Sequence, residues 1–149
     1  MASLKSNERF HIELPDGWED RTVHYFLGPD DSGVQRGLTL TIDRHAHTSD
    51  LIGYARERID HVLNTLPAAE ILKEEQKTLP TGVPIYEAVC KWIPPSGEVS
   101  FQKLVYMIHD GVAYSFSANF SKKTLKTIAL EVDRIIGSFR PGDSAPNAE

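Results

Sequence analysis

The chain has 149 residues, of which 40% are apolar and 25% charged, and its formal net charge is −5. This length allows one domain with a substantial core, and the composition excludes a fully disordered protein. The negative charge argues against general binding to nucleic acid or to an anionic membrane, because both need a basic protein surface.

The N-terminal part of the chain predicts two strands joined by a turn. Residues 1–8 are polar without a pattern and are expected to form a loose tail. Apolar and polar residues alternate over Phe10–Leu14, which is the pattern of a half-buried strand. Pro15–Gly17 indicates a tight turn that delivers Trp18 as an apolar anchor, and alternation resumes over Val23–Leu27. We therefore expect a hairpin that closes one edge of a sheet.

The next stretch predicts a strand, a helix and an edge strand. Alternation over Gly37–Arg44 indicates a third strand. Thr48–Asp50 offers N-cap residues for an amphipathic helix over Leu51–Leu66, which Pro67 ends. The segment Glu70–Leu79 is mostly charged and favours a solvated edge strand.

Three more strands and a second helix complete the chain. Ser121 is expected to cap this helix, whose apolar stripe lies within residues 125–136, and residues 142–149 are expected to be a loose tail. The strands are predicted at Ile85–Ile93, Ser100–Ile108 and Val112–Phe120.

The predicted order of elements is β-β-β-α-β-β-β-β-α. Short connections and hairpin turns favour an α+β fold with an antiparallel twisted sheet of about six to seven strands. We expect the two helices to lie mainly on one face of this sheet, within a single domain over residues 9–141.

Three features indicate a cytoplasmic protein that does not insert into a membrane. No segment is long and apolar enough to span a bilayer. The N-terminus lacks the hydrophobic run of a signal peptide. The single Cys90 cannot form an internal disulfide, which fits a reducing compartment.

Motifs for catalysis are absent from the sequence, so we expect no enzyme, no metal and no cofactor. There is no G-x-S-x-G, no Walker loop and no G-x-G-x-x-G. His45 and His47, near Asp43 and Asp50, could bind a metal from a strand end, but spacing supplies no third ligand group. A small metal-dependent enzyme that uses this region stays as a minor alternative.

Several strand positions are neither clearly core nor clearly solvent. They mix short hydroxyl and amide side chains with aliphatic and aromatic ones, which suits an apolar partner that carries accessible backbone groups. The alternative is an ordinary semi-polar outer face, or one covered by dimerisation. These positions are Thr39, Thr41, Gln102, Ser115, Ser117, Val23, Tyr25, Leu104 and Tyr106.

A set of short motifs in a fixed order resembles a known family. The stretch L-P-D-G-W-x-D covers residues 14–20, and the strand T-V-H-Y-F covers residues 22–26. The later matches are Ile42-Asp43-Arg44, Tyr54, the stop at Leu66-Pro67, Gln102 and a final helix that ends before Pro141. Together these resemble the DcrB-related family, which has a PsbP-like fold. Within it, the chain looks most similar to the Eag-type chaperones of type VI secretion.

The resemblance implies a small cytosolic adaptor that is usually dimeric. Such an adaptor holds the N-terminal transmembrane segments of a toxin effector until the effector is loaded on the secretion spike. The family's groove positions fall on Val23, Tyr25, Thr39, Thr41 and Gln102, and Leu104 of the same mixed face completes the expected set. Another PsbP-like protein-binding module, for instance of Ran-binding type, is the alternative.

One groove position departs from the family pattern. The second family glutamine falls at Arg58 on the first helix. An arginine side chain donates hydrogen bonds to backbone carbonyls but accepts none. The polar half of the expected groove therefore differs in chemistry from that of the family.

Overall fold

Six strands and two helices make up the part of the chain that the computed structural model describes, which is residues 12–19, 21–28, 37–46 and 48–141. In chain order they are β1 (Arg21–Leu27), β2 (Gly37–Asp43), α1 (Leu51–Thr65), β3 (Glu70–Thr78), β4 (Pro84–Trp92), β5 (Ser100–His109), β6 (Val112–Phe120) and α2 (Ile128–Gly137). The strands form one sheet in the order β1-β2-β6-β5-β4-β3, and every pairing is antiparallel. The predicted α+β class and antiparallel sheet are confirmed.

The two helices pack on opposite faces of the sheet, which corrects the expectation that both lie mainly on one face. On β5, Leu104 and Tyr106 belong to the apolar cluster of α1, whereas Val105 and Met107 belong to that of α2. Because successive strand residues point to opposite faces, α1 and α2 must cover different sides. Both sides of β5 are apolar, so the sequence pattern did not reveal which helix covers which face. We name these sides the α1 face and the α2 face.

The start of α1 follows the predicted capping. Asp50 is its N-cap, and the side chain accepts a hydrogen bond of 3.0 Å from the Gly53 amide. The helix ends before Leu66, as Pro67 predicted. Its buried residues are Tyr54, Ala55 and Ile59.

The N-terminal hairpin is not formed by the described residues. Residues 12–15 are not a strand, and Ile12 and Leu14 are exposed, while Phe10 lies outside the described residues. The turn at Pro15–Gly17 is confirmed, since the Trp18 amide donates to the Pro15 carbonyl at 3.3 Å and Gly17 has φ +92°. Trp18 is 69% exposed and is therefore not the predicted anchor.

The second helix begins later than Ser121 predicted. Residues 122–127 form turns, in which the Ser121 amide donates to Thr124 Oγ1 at 2.9 Å and the Thr124 amide donates to Ser121 Oγ at 3.3 Å. These reciprocal bonds have the pattern of a capping box, but the chain starts α2 only at Ile128. The capping pattern at Ser121 therefore predicted a helix start six residues before the observed one.

Candidate functional site

The α1 face is covered over only part of its width. α1 packs on β4 and β5, which leaves the β1, β2 and β6 side of the same face without a helix among the described elements. On this side Val23 is 57% exposed and Tyr25 is 63% exposed. We call this surface the open half-face, and it consists of Val23, Tyr25, Thr39, Thr41, Ser115 and Ser117.

Strand register arranges the open half-face in two parallel rows. One row runs from Tyr25 across Thr39 and Ser117 to Leu104, and each residue faces the next on the neighbouring strand. The other row consists of Val23, Thr41, Ser115 and Tyr106, so it too has one apolar residue, two hydroxyl residues and a second apolar residue in that order. Each row therefore has an exposed apolar rim, a hydroxyl floor and a buried apolar end.

The width of the open half-face suits a helix. Four neighbouring strands about 4.8 Å apart place β1 roughly 14 Å from β5, and α1 lies above the far strand. An α-helix with its side chains is about 10–12 Å across. A helix that lay between β1 and α1 would contact the apolar rim and the hydroxyl floor together.

Gly37 leaves room for the Tyr25 ring beside the start of β2. A Cβ at Gly37 would stand 2.7 Å from the Tyr25 hydroxyl, which is closer than real Cβ atoms approach such a group. The small residue at the start of β2 therefore gives the Tyr25 ring its space.

The expected polar residues Gln102 and Arg58 both lie beside this surface. Gln102 Nε2 donates to Ser117 Oγ at 2.9 Å, which ties β5 to the hydroxyl floor. The Arg58 guanidinium lies 3.8 Å from the centre of the Tyr54 ring. Leu104, by contrast, is buried beneath α1 and belongs to the core rather than to the accessible surface.

A charged network that the sequence did not predict closes one end of the open half-face. Asp43 is 3% exposed and accepts a hydrogen bond of 3.1 Å from the Tyr54 hydroxyl. Its Oδ2 lies 3.6 Å from Arg58 Nη2 and 3.8 Å from Arg21 Nη2. The network thus joins β1, β2 and α1 around one carboxylate.

The network holds the Asp43 carboxylate in its charged form. Burial alone would raise the pKa of Asp43, but the His45 amide, the Tyr54 hydroxyl and the two guanidinium groups together lower it. The side chain lies on the same face as Thr39 and Thr41, so a polar residue at this position was expected. Its partners on α1 are 11 and 15 residues away in sequence, and no local pattern reveals them.

Replacement of Asp43 by asparagine is expected to destabilise the fold by about 2 kcal/mol at pH 7, because a charged acceptor of a buried hydroxyl is lost. Because the pKa of Asp43 is lowered in the folded state, the charged carboxylate stabilises the fold fully above the ordinary aspartate pKa of about 3.9. This stabilisation is lost as the pH falls through the lower folded pKa. Urea denaturation at neutral and acidic pH measures both effects. Asp16→Asn, at an exposed turn position, is the control and should change stability little.

The remaining candidates from the sequence are the pair His45 and His47, and Cys90. His47 lies outside the described residues, and those described contain no group of three or more metal-ligating side chains. Burial raises the pKa of the Cys90 thiol, as expected for an inert core cysteine. Among the residues that the structure describes, no helix is long and apolar enough to cross a membrane.

The chain is similar to known proteins both in sequence family and in fold. A family model described as DcrB matches residues 10–138. Protein PA94 of unknown function from Pseudomonas aeruginosa is similar in structure with a TM-score of 0.72 at 14% identity, over 91% of this chain and 96% of that one. Cyanobacterial PsbP (CyanoP) from Synechocystis sp. PCC 6803 has a TM-score of 0.50 at 10% identity, over 84% of this chain and 94% of that one. No curated protein sequence matches the chain.

At these identities the two structures show the fold alone. They confirm the PsbP-like fold predicted from the sequence. LpqN of Mycobacterium tuberculosis has a TM-score of 0.44 at 14% identity, over 79% of this chain and 82% of that one.

Proposed function

The chain belongs to the DcrB family, and we propose that it is a non-enzymatic, cytoplasmic chaperone of the Eag type. Its client would be a type VI secretion effector, whose N-terminal transmembrane helices it would shield until the effector is loaded on the secretion spike. The observation that carries this proposal is the open half-face, with its exposed apolar rim beside a hydroxyl floor.

The chemistry of the open half-face suits a transmembrane helix held in water. Such a helix exposes a continuous apolar surface, and covering it is favourable by about 25 cal/mol per Å². Val23 and Tyr25 supply apolar contact from β1. The hydroxyl groups of Thr39 and Thr41 can bond to backbone groups that small residues leave accessible, as happens between helices in membranes.

Arg58 would act on the client in a different way from the family glutamine. Its guanidinium is held beside Asp43 and over Tyr54, so it is already oriented toward the end of the open half-face. From there it can donate to a backbone carbonyl of the client but cannot accept from an amide. We infer that the client presents a carbonyl, such as a helix C-terminus, at this end.

The chain is expected to act as a homodimer, as the family resemblance implies. Two copies would offer two open half-faces, which suits an effector with more than one transmembrane segment. The secretion spike protein is a further expected partner, and contact with it would follow loading of the effector.

Co-expression with an effector fragment tests the proposal. A fragment that carries the N-terminal transmembrane segments is expected to stay soluble and to co-purify with this chain. The same fragment without those segments should not co-purify. If the full fragment stays insoluble and is not captured, the chaperone function is wrong.

A further inference from the structure

A cavity on the α2 face is separate from the open half-face. It lies between α2 and the strands β3, β4 and β5, and its volume is about 660 Å³. This is within the range of roughly 300–1,000 Å³ found for small-molecule sites. Its apolar lining consists of Leu79, Pro80, Ile85, Val105, Leu130 and Ile136.

The two carboxylates that line the cavity, Glu87 and Asp133, already form ion pairs with lysines. The buried Glu87 carboxylate has Lys77 Nζ at 3.1 Å, with Lys103 Nζ and Lys73 Nζ each at 3.5 Å. Asp133 of α2 forms an ion pair with the same Lys103. Lys73 also lies 3.4 Å from Glu75. No carboxylate here is free to repel an anion.

One cation of the cavity has no such partner. Arg134 lines the cavity from the last turn of α2, is exposed, and forms no ion pair with any residue that the structure describes. The cavity therefore combines apolar walls with one uncompensated guanidinium at its rim.

We propose that this cavity binds a single-chain amphiphile with a carboxylate head group. The tail lies against the exposed Pro80 and Leu130 of the lining, and the carboxylate pairs with Arg134. A cationic head group would meet Arg134 at the rim and be repelled. This site is on the opposite face from the proposed client surface, and it does not depend on the proposed function.

Titration of the full chain with three matched amphiphiles, followed by NMR of the backbone amides, tests the proposal. Decanoate is expected to bind about tenfold more tightly than decanol, because one charge-assisted contact contributes roughly 1.5 kcal/mol. Decyltrimethylammonium should not saturate. The amide signals that shift should lie in residues 77–80 and 130–138.

Two pairs of variants locate the site. Arg134→Ala should reduce decanoate affinity to that of decanol, whereas Arg140→Ala, exposed and outside this lining, should not. Leu130→Asp should weaken binding of both decanoate and decanol, and Ile135→Asp on the same helix should not. The proposal is overturned by equal binding of the cationic amphiphile, by shifts on β1 and β2 instead, or by no saturable binding of decanoate.

Discussion

A variant with aspartate at both Val23 and Tyr25 is expected to lose the effector fragment in co-purification, with affinity at least about a hundredfold weaker. Both side chains are exposed on the rim of the open half-face, so the change should leave the fold intact. In the complex, the two carboxylates would have to be buried against an apolar helix without a partner, which costs several kcal/mol.

A matched control lies on the other side of the same strand. His24 and Phe26 belong to β1, point to the α2 face and stack with ring centres 6.1 Å apart. Aspartate at these two positions adds the same charge to the same strand and should leave client binding unchanged. If both double variants unfold at the same temperature as the wild type, the fold is preserved in each. Retained binding in the first variant would mean that the open half-face is not the client site.

Much of the sheet was predictable, because alternation is a local property. β2 begins and ends within a residue of its predicted bounds, and the face shared by Thr39 and Thr41 follows from the period of two. The charged β3 is an edge strand, as its composition predicted. The alternating residues 12–14, in contrast, form no strand, since alternation alone does not supply a neighbouring strand.

The placement of the helices could not be predicted in the same way. β5 is apolar on both faces, so the sequence allowed α1 to pack on either side of the sheet. The open half-face exists only because α1 covers β4 and β5 rather than β1 and β2, and this follows from tertiary packing. The same packing buries Leu104, which the sequence grouped with the accessible residues.

Glu87 shows how register assembles a charged cluster that the sequence conceals. It lies in the central strand β4, within the otherwise apolar run I-Y-E-A-V-C. Glu75 faces it on β3, which places Lys73 and Lys77 on either side, and Lys103 approaches from β5. Only the pairing of three strands brings these residues together.

Replacement of Glu87 by glutamine is expected to destabilise the fold by about 3 kcal/mol at pH 7, measured by urea denaturation. Glu87 is 3% exposed, and its loss leaves the buried Lys103 with Asp133 as its remaining ion-pair partner. Removal of one partner from a buried ion pair costs roughly 3–5 kcal/mol. The exposed pair of Glu70 and Lys91 is the control, and Glu70→Gln should cost less than about 1 kcal/mol.

The pH dependence of this difference identifies its electrostatic origin. Burial would raise the pKa of Glu87, but Lys103, Lys77 and Lys73 together lower it below the ordinary value. The charged carboxylate therefore stabilises the fold fully above the unfolded pKa of about 4.3, and this contribution is lost as the pH falls through the lower folded pKa. The gap between wild type and Glu87→Gln should be constant from neutral pH to about 5 and close in stronger acid.

A double replacement separates charge from packing at this position. If the cost comes from unpaired ammonium groups, leucine at both Glu87 and Lys103 should recover part of the lost stability, because an apolar pair of similar volume often replaces a buried ion pair without loss. A double variant less stable than Glu87→Gln, together with a stability gap that persists in acid, would instead show that the cost does not come from the ion pairs. In that case Lys73, Lys77 and Lys103 would be solvated near Glu87 without stabilising its charge.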